Sequence, residues 1–367
     1  MARKPARPFP QAGHGPVTID LALQGGGSHG AFTWGVLDRL LDDESLSFDG
    51  VSGTSAGALN AAVLATGLAV GGRAGAQQAL SAFWHDVAAT GRCFGGGLSA
   101  FGRAPDSDDF TAWATNPWVA GTAWWTQQWL RLFAPVQLNP TGMNPLRGII
   151  ERHVRPQALA QGPLQVFVSA TAVKTGQPRL FTSQRELGDA RTCIDALLAS
   201  TCLPTLFPAV RVEGEPYWDG GYTGNPALWP LVYRTAPLDI LLVKINPLVR
   251  PELPDTADEI AERINEIGFN SALVGEMRAI AFVQKLVAEG LLDPGRYRGL
   301  RLHMVADEDR LARLPPASKL DTDIGFLRTL HGLGVAAADR WLTRHRGDIG
   351  HRSTLDPRKT FLEPRTL

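Results

Sequence analysis

Short apolar runs alternate with longer amphipathic stretches along the first two thirds of the chain. Residues 17–23 form an apolar, partly β-branched run that predicts a buried strand. A glycine-rich loop follows, and residues 31–41 then show the spacing of apolar positions that is typical of a helix. A second strand and a second helix are predicted on either side of Ser55. This succession of strand, loop and helix predicts an α/β fold.

The same patterns continue into the C-terminal third of the chain, where helical spacing dominates. Pro204 and Pro208 end one predicted helix, because proline cannot continue it. No internal repeat or low-complexity segment interrupts the pattern. The further predicted strands are residues 164–172, 179–182, 209–212, 216–218, 239–245 and 300–305, and the further helices are 74–87, 145–155, 192–200, 257–289 and 325–344.

Residues 71–144 differ from the rest of the chain in composition. They contain three successive glycines at 95–97, an acidic run at 106–109 and, within residues 113–129, half of the chain's ten tryptophans. Two interpretations remain open. One is a lid or apolar acyl-binding wall over residues 111–130, and the other is the aromatic packing of an inserted helical subdomain. The tryptophans concerned are Trp113, Trp118, Trp124, Trp125 and Trp129.

The composition narrows the class of protein. With 367 residues, 44% of them hydrophobic, the chain is long enough to bury a large core. Lys plus Arg and Asp plus Glu both number 36, which argues against a nucleic-acid-binding protein, since that needs a basic excess or patch. The three cysteines are too few for a disulfide framework and lack metal-ligand spacing. We therefore predict buried thiols, no metal and no nucleic-acid partner.

The two ends of the chain carry no predicted core element. Residues 1–16 are basic and rich in Pro and Gly, and no apolar segment of a secretory signal follows them, so we expect a disordered leader. Residues 346–367 form a charged tail. The longest apolar run, 56–70, is interrupted by polar residues and is too short to span a bilayer. These features predict a cytoplasmic protein that can touch a membrane surface from one side.

Ser55 is the strongest candidate for a nucleophile. It stands between Gly53 and Gly57 in a G-x-S-x-G spacing, at the predicted turn from strand to helix. Glycines let the chain turn sharply there and expose the serine oxygen, and the following helix points its positive end and its first N–H groups at it. So short a spacing also arises by chance in a glycine-rich chain, and its weight therefore depends on the neighbouring motifs.

The loop Gly25-Gly26-Gly27-Ser28-His29-Gly30 matches a G-x-G-x-x-G spacing between a strand and a helix. Such a loop can bind a dinucleotide, but that fold needs an acidic residue near the end of the second strand, where this chain has Ser55. The loop can also be an oxyanion hole, whose backbone N–H groups face a developing negative charge. A nucleophilic serine after the next strand favours the oxyanion hole, and a purely structural turn is the third interpretation.

A serine nucleophile needs a base within hydrogen-bond reach. Of the eight histidines, only His303 fits the order of nucleophile, acid and histidine found in α/β-hydrolases, but those proteins place more strands before the serine. Asp219 is the better candidate, because it leaves a short strand into two glycines, where a carboxylate can approach other backbone. Paired directly with Ser55, it would act as a general base without a histidine.

Three motifs occur in a fixed order: the loop at 25–30, the turn at 53–57 and Asp219-Gly220-Gly221. Together they resemble the patatin-like phospholipases, a family of Ser-Asp dyad acyl hydrolases, over residues 17–245. The resemblance implies Ser55 as the nucleophile and Asp219 as its partner. It implies an oxyanion hole formed by Gly25, Gly26, Gly27 and Ser28. The residues that would support these motifs are His29, Gly30, Gly53, Gly57, Gly220 and Gly221.

The resemblance also implies a three-layer α/β/α sandwich with a mostly parallel central sheet, in one hydrolase domain over residues 17–345. The Trp-rich insert, 71–144, and a mainly helical C-terminal part, 255–345, match no motif of the family. The implied activity is hydrolysis of carboxylic esters in phospholipids, lysophospholipids or acylglycerols, through an acyl-enzyme and without a cofactor. The alternatives are a short-chain or polyester esterase with the same mechanism and a non-catalytic lipid-binding protein.

The chain departs from the family at His29, where members usually carry Arg or Lys. Catalysis does not require that cation, because backbone N–H groups would bind the oxyanion. A histidine would make any role of the positive charge pH-dependent or absent, whether that role is to shape the loop or to meet an anionic head group.

Overall fold

The computed structural model describes residues 16–93, 139, 143–204, 206–250, 252–293 and 296–363. All but the last residue of the predicted leader, 1–16, lies outside these ranges, as does the whole Trp-rich stretch at 111–130. Both interpretations of that stretch therefore stay predictions.

The secondary structure begins at Val17 and alternates strands with helices, as predicted. The strands are β1 (Val17–Leu23), β2 (Leu46–Thr54), β3 (Gln165–Ala172), β4 (Pro178–Thr182), β5 (Val210–Val212), β6 (Glu215–Asp219), β7 (Asp239–Val243) and β8 (Arg301–Val305). The α-helices are α1 (Gly30–Leu41), α2 (Ala56–Cys93), α3 (Pro145–His153), α4 (Pro156–Gln161), α5 (Ala190–Ser200), α6 (Trp229–Arg234), α7 (Ala257–Ala288), α8 (Glu308–Ala312) and α9 (Ile324–His345). Shorter helical turns cover Gly27–His29, Gly220–Tyr222, Pro316–Leu320, Arg346–Asp348 and Arg358–Leu362.

One sheet holds all of these strands, in the order β5-β6-β3-β2-β1-β7-β8, with β4 also paired to β3. Strands β1, β2, β3, β7 and β8 are parallel, whereas β4 and β6 run antiparallel to β3 and β5 runs antiparallel to β6. The order reverses at β1, which lies between β2 and β7. In sheets of this kind ligands bind at the carboxyl ends of the strands next to such a reversal. The glycine loop after β1 and Ser55 after β2 both lie there.

Helices cover both faces of the sheet. On one face, strand side chains pack against α1, α2, α5 and α9 in a cluster that includes Phe32, Leu64 and Leu330. On the other face a separate cluster joins the strands to α6 and α7 through Leu231, Leu273 and other apolar side chains. The predicted three-layer α/β/α sandwich with a mostly parallel sheet is therefore confirmed.

Helices α1 and α9 pack with their backbones in contact. A Cβ atom at Gly35 of α1 would overlap the carbonyl oxygen of His331, and one at Gly334 of α9 would overlap that of Phe32. Glycine is the residue that permits so close an approach. This crossing fixes the C-terminal helix against the helix that follows the glycine loop.

The helix predicted after Ser55 and the one predicted at 74–87 are two parts of α2, which loses helical geometry at Gly71 and Gly72. Glycines are common where a helix breaks, since they adopt backbone angles that other residues avoid. Helix α7 begins at a capping box formed by Thr256 and Glu259. Among the described residues, none of the helices combines the length and the apolar character that crossing a bilayer requires.

Candidate active site

Ser55 occupies the tight turn between β2 and α2 and is partly buried. Its φ angle of 54° lies in the left-handed region, which is uncommon for a residue with a side chain. A Cβ atom at Gly53 would overlap the carbonyl oxygen of Gly57, and one at Gly57 would overlap that of Leu23. Both flanking positions therefore require glycine, and the close packing holds Ser55 in its strained conformation.

The N–H group of Ser55 donates a hydrogen bond to the Ser200 hydroxyl at 2.9 Å. Ser200 is the last residue of α5 and is fully buried. The motifs in the sequence gave Ser200 no role. The bond ties the turn that carries Ser55 to a helix that follows it by more than 130 residues.

The glycine loop lies directly against Ser55. A Cβ atom at Gly25 would be 2.6 Å from the Cβ of Ser55, and one at Gly30 would be 2.8 Å from the Cβ of Ala56. After Gly25 the chain enters the short helix Gly27–His29, which leads into α1. The first N–H groups of a helix have no acceptor within it. The backbone N–H groups of residues 26–28, which are candidate donors to an oxyanion, therefore follow directly after Gly25, the residue beside Ser55.

The N–H group of Gly25 is already engaged, which corrects one part of the predicted oxyanion hole. It donates to Oδ1 of Asn225 at 2.7 Å, while the Gly25 carbonyl accepts from Nδ2 of Asn246 at 2.6 Å. An N–H group committed to a side chain cannot also face an oxyanion. Gly25 contributes the space beside Ser55, and the remaining candidate donors are Gly26, Gly27 and Ser28.

Gln24 adds further hydrogen bonds that hold the start of the glycine loop. Its Oε1 atom accepts hydrogen bonds from the backbone N–H groups of Ile245 and Asn246, both at 2.9 Å. Its Nε2 atom donates to the carbonyl of Asn225 at 3.2 Å and to Oδ1 of Asn270 at 3.4 Å. Sequence reasoning missed these amides. A signal was present only at Gln24, a polar residue at the end of a buried strand.

Asp219 ends β6 and is fully buried. A Cβ atom at Gly220 would overlap the carbonyl oxygen of Ser169, so the Asp-Gly-Gly turn packs tightly on β3. The Oδ1 atom of Asp219 accepts a hydrogen bond from the Gly221 N–H at 2.7 Å, and Oδ2 is buried without a hydrogen-bond partner. Burial raises the pKa of Asp219 to about 7, against the lowering effects of the Gly221 N–H and the Ser55 hydroxyl.

The Ser55 hydroxyl lies close enough to the Asp219 carboxyl to affect its pKa, although no hydrogen bond of regular geometry joins the two side chains. Contacts of this kind are often long in unliganded enzymes and shorten when substrate binds. Ser55, the glycine loop and Asp219 all lie at the carboxyl ends of the parallel strands. The structure therefore brings the three sequence motifs to one edge of the sheet.

His303 is not placed to assist Ser55. Its Nε2 lies 3.0 Å from Oδ1 of Asp239, and its Nδ1 lies 3.0 Å from the Thr354 hydroxyl. Asp239 is the first residue of β7 and therefore lies at the opposite edge of the sheet from Ser55. Because both ring nitrogens are occupied, the interpretation of His303 as the base of a triad is wrong. No hydrogen bond from any histidine that the structure describes ends on Ser55.

His29, which belongs to the glycine loop, has a buried side chain with Nε2 2.7 Å from the Ser318 hydroxyl. Burial, together with the positive charges of Lys319 and Arg250, lowers the pKa of His29 to about 3. The ring is therefore neutral at physiological pH. In this chain the cation that the family usually carries at this position is absent. In the described ranges no group of three or more His, Cys, Asp or Glu side chains is arranged to hold a metal.

Comparisons with known proteins place the chain in a family. A family model described as patatin-like phospholipase matches residues 21–232, more than half of the chain. VipD from Legionella pneumophila is similar at 12% identity and a TM-score of 0.32, over 86% of this chain and 67% of that one. ExoU, solved with SpcU from the type III secretion system of Pseudomonas aeruginosa, is similar at 14% identity and a TM-score of 0.27, over 94% and 76%. A search of curated proteins finds no match. On the family model, and on the three motifs that the fold brings together, this chain belongs to the patatin-like phospholipase family.

Proposed function

We propose that the protein hydrolyses carboxylic ester bonds of lipids through an acyl-enzyme on Ser55, with Asp219 as the general base. The observation that carries the proposal is the buried Asp219 carboxyl, which lies close enough to the Ser55 hydroxyl for its pKa to be affected, has an unpartnered Oδ2 and has a pKa of about 7. A general base works best when its pKa lies near the working pH. Membership of the patatin-like phospholipase family supports lipid esters as the substrates.

In the acylation step Ser55 Oγ attacks the carbonyl carbon of the ester, and the hydroxyl proton passes to Oδ2 of Asp219. The N–H groups of Gly26, Gly27 and Ser28 hold the oxyanion of the tetrahedral intermediate. Loss of one such donor typically costs about 10²- to 10³-fold in rate. The intermediate collapses when the alcohol leaves with the proton from Asp219, and the acyl group stays on Ser55.

In the deacylation step Asp219 takes a proton from a water molecule, whose oxygen attacks the acyl carbonyl. The same N–H groups hold the second oxyanion. When this intermediate collapses, the fatty acid leaves and the proton returns to Ser55 Oγ. The two steps together consume one water and release one alcohol and one acid, and residues of this chain carry out each proton transfer.

The substrates to test are phosphatidylcholine vesicles, lysophosphatidylcholine micelles, a monoacylglycerol emulsion and the water-soluble ester nitrophenyl butyrate. Wild type is compared with Ser55→Ala and with the control Ser47→Ala. Ser47 lies at the other end of β2, where its hydroxyl pairs with Thr18. We expect fatty-acid release from at least one lipid, a loss of at least about 10³-fold in Ser55→Ala, and near wild-type rates in Ser47→Ala.

The same panel separates the alternatives. Cleavage of nitrophenyl butyrate with no release from any lipid would identify a short-chain esterase. Binding to vesicles without release from any ester would identify a non-catalytic lipid-binding protein. Undiminished hydrolysis by Ser55→Ala would contradict the assignment of the nucleophile.

A further inference from the structure

The short helix Pro316–Leu320 packs on the glycine loop, although it lies far beyond residues 21–232, which match the family. Gly27 has a φ angle of +59°. A Cβ atom there would overlap the carbonyl oxygen of Lys319, so the loop and the short helix touch through their backbones. The candidate oxyanion donors are therefore supported from the C-terminal part of the chain.

One side-chain hydrogen bond joins the two segments. The Ser318 hydroxyl is fully buried, lies 2.7 Å from Nε2 of His29 and donates to the carbonyl of Pro315 at 2.6 Å. A hydroxyl can donate only one hydrogen bond, and that of Ser318 donates to the Pro315 carbonyl. Nε2 of His29 must then carry the proton of the bond, which makes His29 the donor and Ser318 the acceptor.

The other ring nitrogen supports this assignment. Nδ1 of His29 is buried and has no hydrogen-bond partner, as suits a neutral ring whose single proton sits on Nε2. Protonation would place a charged N–H where no acceptor receives it, close to Lys319 and Arg250, whose positive charges disfavour it further. His29 thus acts as a neutral hydrogen-bond donor where the family usually has a cation.

The short helix is itself held in place, since Nζ of Lys319 lies 3.6 Å from Oε1 of Glu266 in α7. Asp323 caps the N-terminus of α9, accepting hydrogen bonds from the N–H groups of Gly325 and Phe326 at 2.8 and 3.1 Å. Helix α9 in turn crosses α1 at the close glycine contacts described above. The bond between His29 and Ser318 therefore links the start of α1 to a fixed point, and does not end on a mobile surface group.

We propose that Ser318 is a positioning residue for the oxyanion hole, which through His29 fixes the direction of the N–H groups at residues 26–28. This inference rests on the proposed function, because it gives those N–H groups their role. A small misplacement of preorganised donors is enough to lower the rate substantially. The family domain alone would then not fully shape its own oxyanion hole in this chain.

The test is a double-mutant cycle of His29→Ala and Ser318→Ala, with His29→Gln as the rescue variant and Ser353→Ala as the control. Gln offers an N–H near the position of Nε2. The Ser353 hydroxyl also accepts a buried-strand N–H, from Leu302, but does so at the other edge of the sheet. Activity on nitrophenyl butyrate is expressed as kcat per Ser55 titrated with a fluorophosphonate, and the inhibition constant of a trifluoromethyl ketone reports on oxyanion binding.

We expect Ser318→Ala and His29→Ala each to lower kcat by about 10- to 100-fold, to leave KM within about twofold and to weaken trifluoromethyl ketone binding by the same factor as kcat. The double variant should be no worse than the worse single variant, since both remove one bond. His29→Gln should recover most of kcat. If Ser318→Ala matches Ser353→Ala in kcat per titrated site, the inference is wrong and the bond only stabilises the fold.

Amide hydrogen exchange of the peptide that covers residues 24–30 gives a readout independent of activity. We expect faster exchange there in Ser318→Ala than in Ser353→Ala. Faster exchange in a protein that hydrolyses no ester would contradict the proposed function while the positioning of the loop stands. Unchanged exchange and unchanged kcat in an active enzyme would overturn the positioning role alone. His29→Ala serves the same comparison if Ser318→Ala does not fold, because it removes the same bond from the other side.

Discussion

Asp219 and Asp239 are buried aspartates at opposite edges of one sheet, with exposed fractions of 0% and 1%. Asp239 accepts hydrogen bonds from His303, from Arg301 at both oxygens and from the N–H of Gly350. Burial acts to raise its pKa, but the bonds from His303 and Arg301 outweigh that effect and lower it to about 2. Around Asp219 burial prevails, and the pKa rises to about 7.

The difference between the two sites separates a structural carboxylate from a reactive one. When both oxygens are paired with cations and N–H groups, the carboxylate holds neighbouring elements together and takes up a proton only in strong acid. When one oxygen is buried and unpartnered, the charge is poorly stabilised and the group readily accepts a proton near neutral pH. The pair of His303 and Asp239 has the composition of a catalytic couple, yet its partners show that it is structural.

Of the changes that test the difference between the Asp219 and Asp239 sites, Asp219→Asn should have the largest effect, a loss of activity. The amide fits the space of the carboxyl and can still accept from the Gly221 N–H, but it cannot take the Ser55 proton. We expect kcat to fall by about 10³-fold or more, whereas Asp239→Asn should keep wild-type kcat per folded molecule. The measurement is nitrophenyl butyrate hydrolysis, normalised to the folded fraction from circular dichroism. Equal losses in the two variants would break the distinction.

The next effect is on the free energy of unfolding and concerns the Asp239 site. Asp239→Asn removes the charge that Arg301 and His303 face, and we expect it to lower the free energy of unfolding at pH 7 by about 3 kcal/mol. Urea denaturation measures this change. The control is Asp339→Asn, which removes an exposed ion pair with Arg39 and should cost less than about 1 kcal/mol.

The pH dependence of that stability follows from the direction of the shift. Because the folded pKa of Asp239 lies below its ordinary 3.8, its contribution is fully present above about pH 4 and is lost as the pH falls through about 2. The difference between wild type and Asp239→Asn should therefore shrink in strong acid. A constant difference between pH 7 and pH 2 would contradict the pairing that we describe.

The smallest effect is the pH profile of the wild-type enzyme. A base with a pKa of about 7 is protonated, and inactive, at lower pH. We expect kcat/KM for nitrophenyl butyrate to rise about tenfold per pH unit below pH 7 and to level off above it. Rates measured from pH 5 to pH 9 test this. A profile that is flat between pH 5 and pH 8 would mean that Asp219 ionises as an ordinary carboxyl.

The sequence predicts most of the fold and the outline of the site, for physical reasons that differ between elements. Strands such as residues 19–23 and 239–243 are buried on both faces, so their largely apolar runs are visible without a structure. Ser55 and Asp219 are visible because glycines that the close backbone approach requires flank the serine and follow the aspartate. These features are local, and a local pattern is what a single sequence displays.

The rest of the site depends on partners that are distant in the chain. Asn225 contacts Gly25 across 200 residues, and Ser318 contacts His29 across 289. Neither Asn225 nor Ser318 lies in a periodic pattern, because a single polar side chain that reaches a buried loop leaves no repeat in the sequence. The engagement of the Gly25 N–H and the neutrality of His29 follow from these contacts. Both became visible only with the fold.

The central claim is that Ser55 is activated by Asp219, and the most direct measurement is labelling with a fluorophosphonate probe followed by peptide mass spectrometry. The proteins compared are wild type, Asp219→Asn and Asp239→Asn at pH 8, each confirmed as folded. Our account predicts an adduct on Ser55 in wild type and in Asp239→Asn, and a collapse of labelling in Asp219→Asn. An unmodified Ser55 in folded wild type, or full labelling of Asp219→Asn, would contradict it.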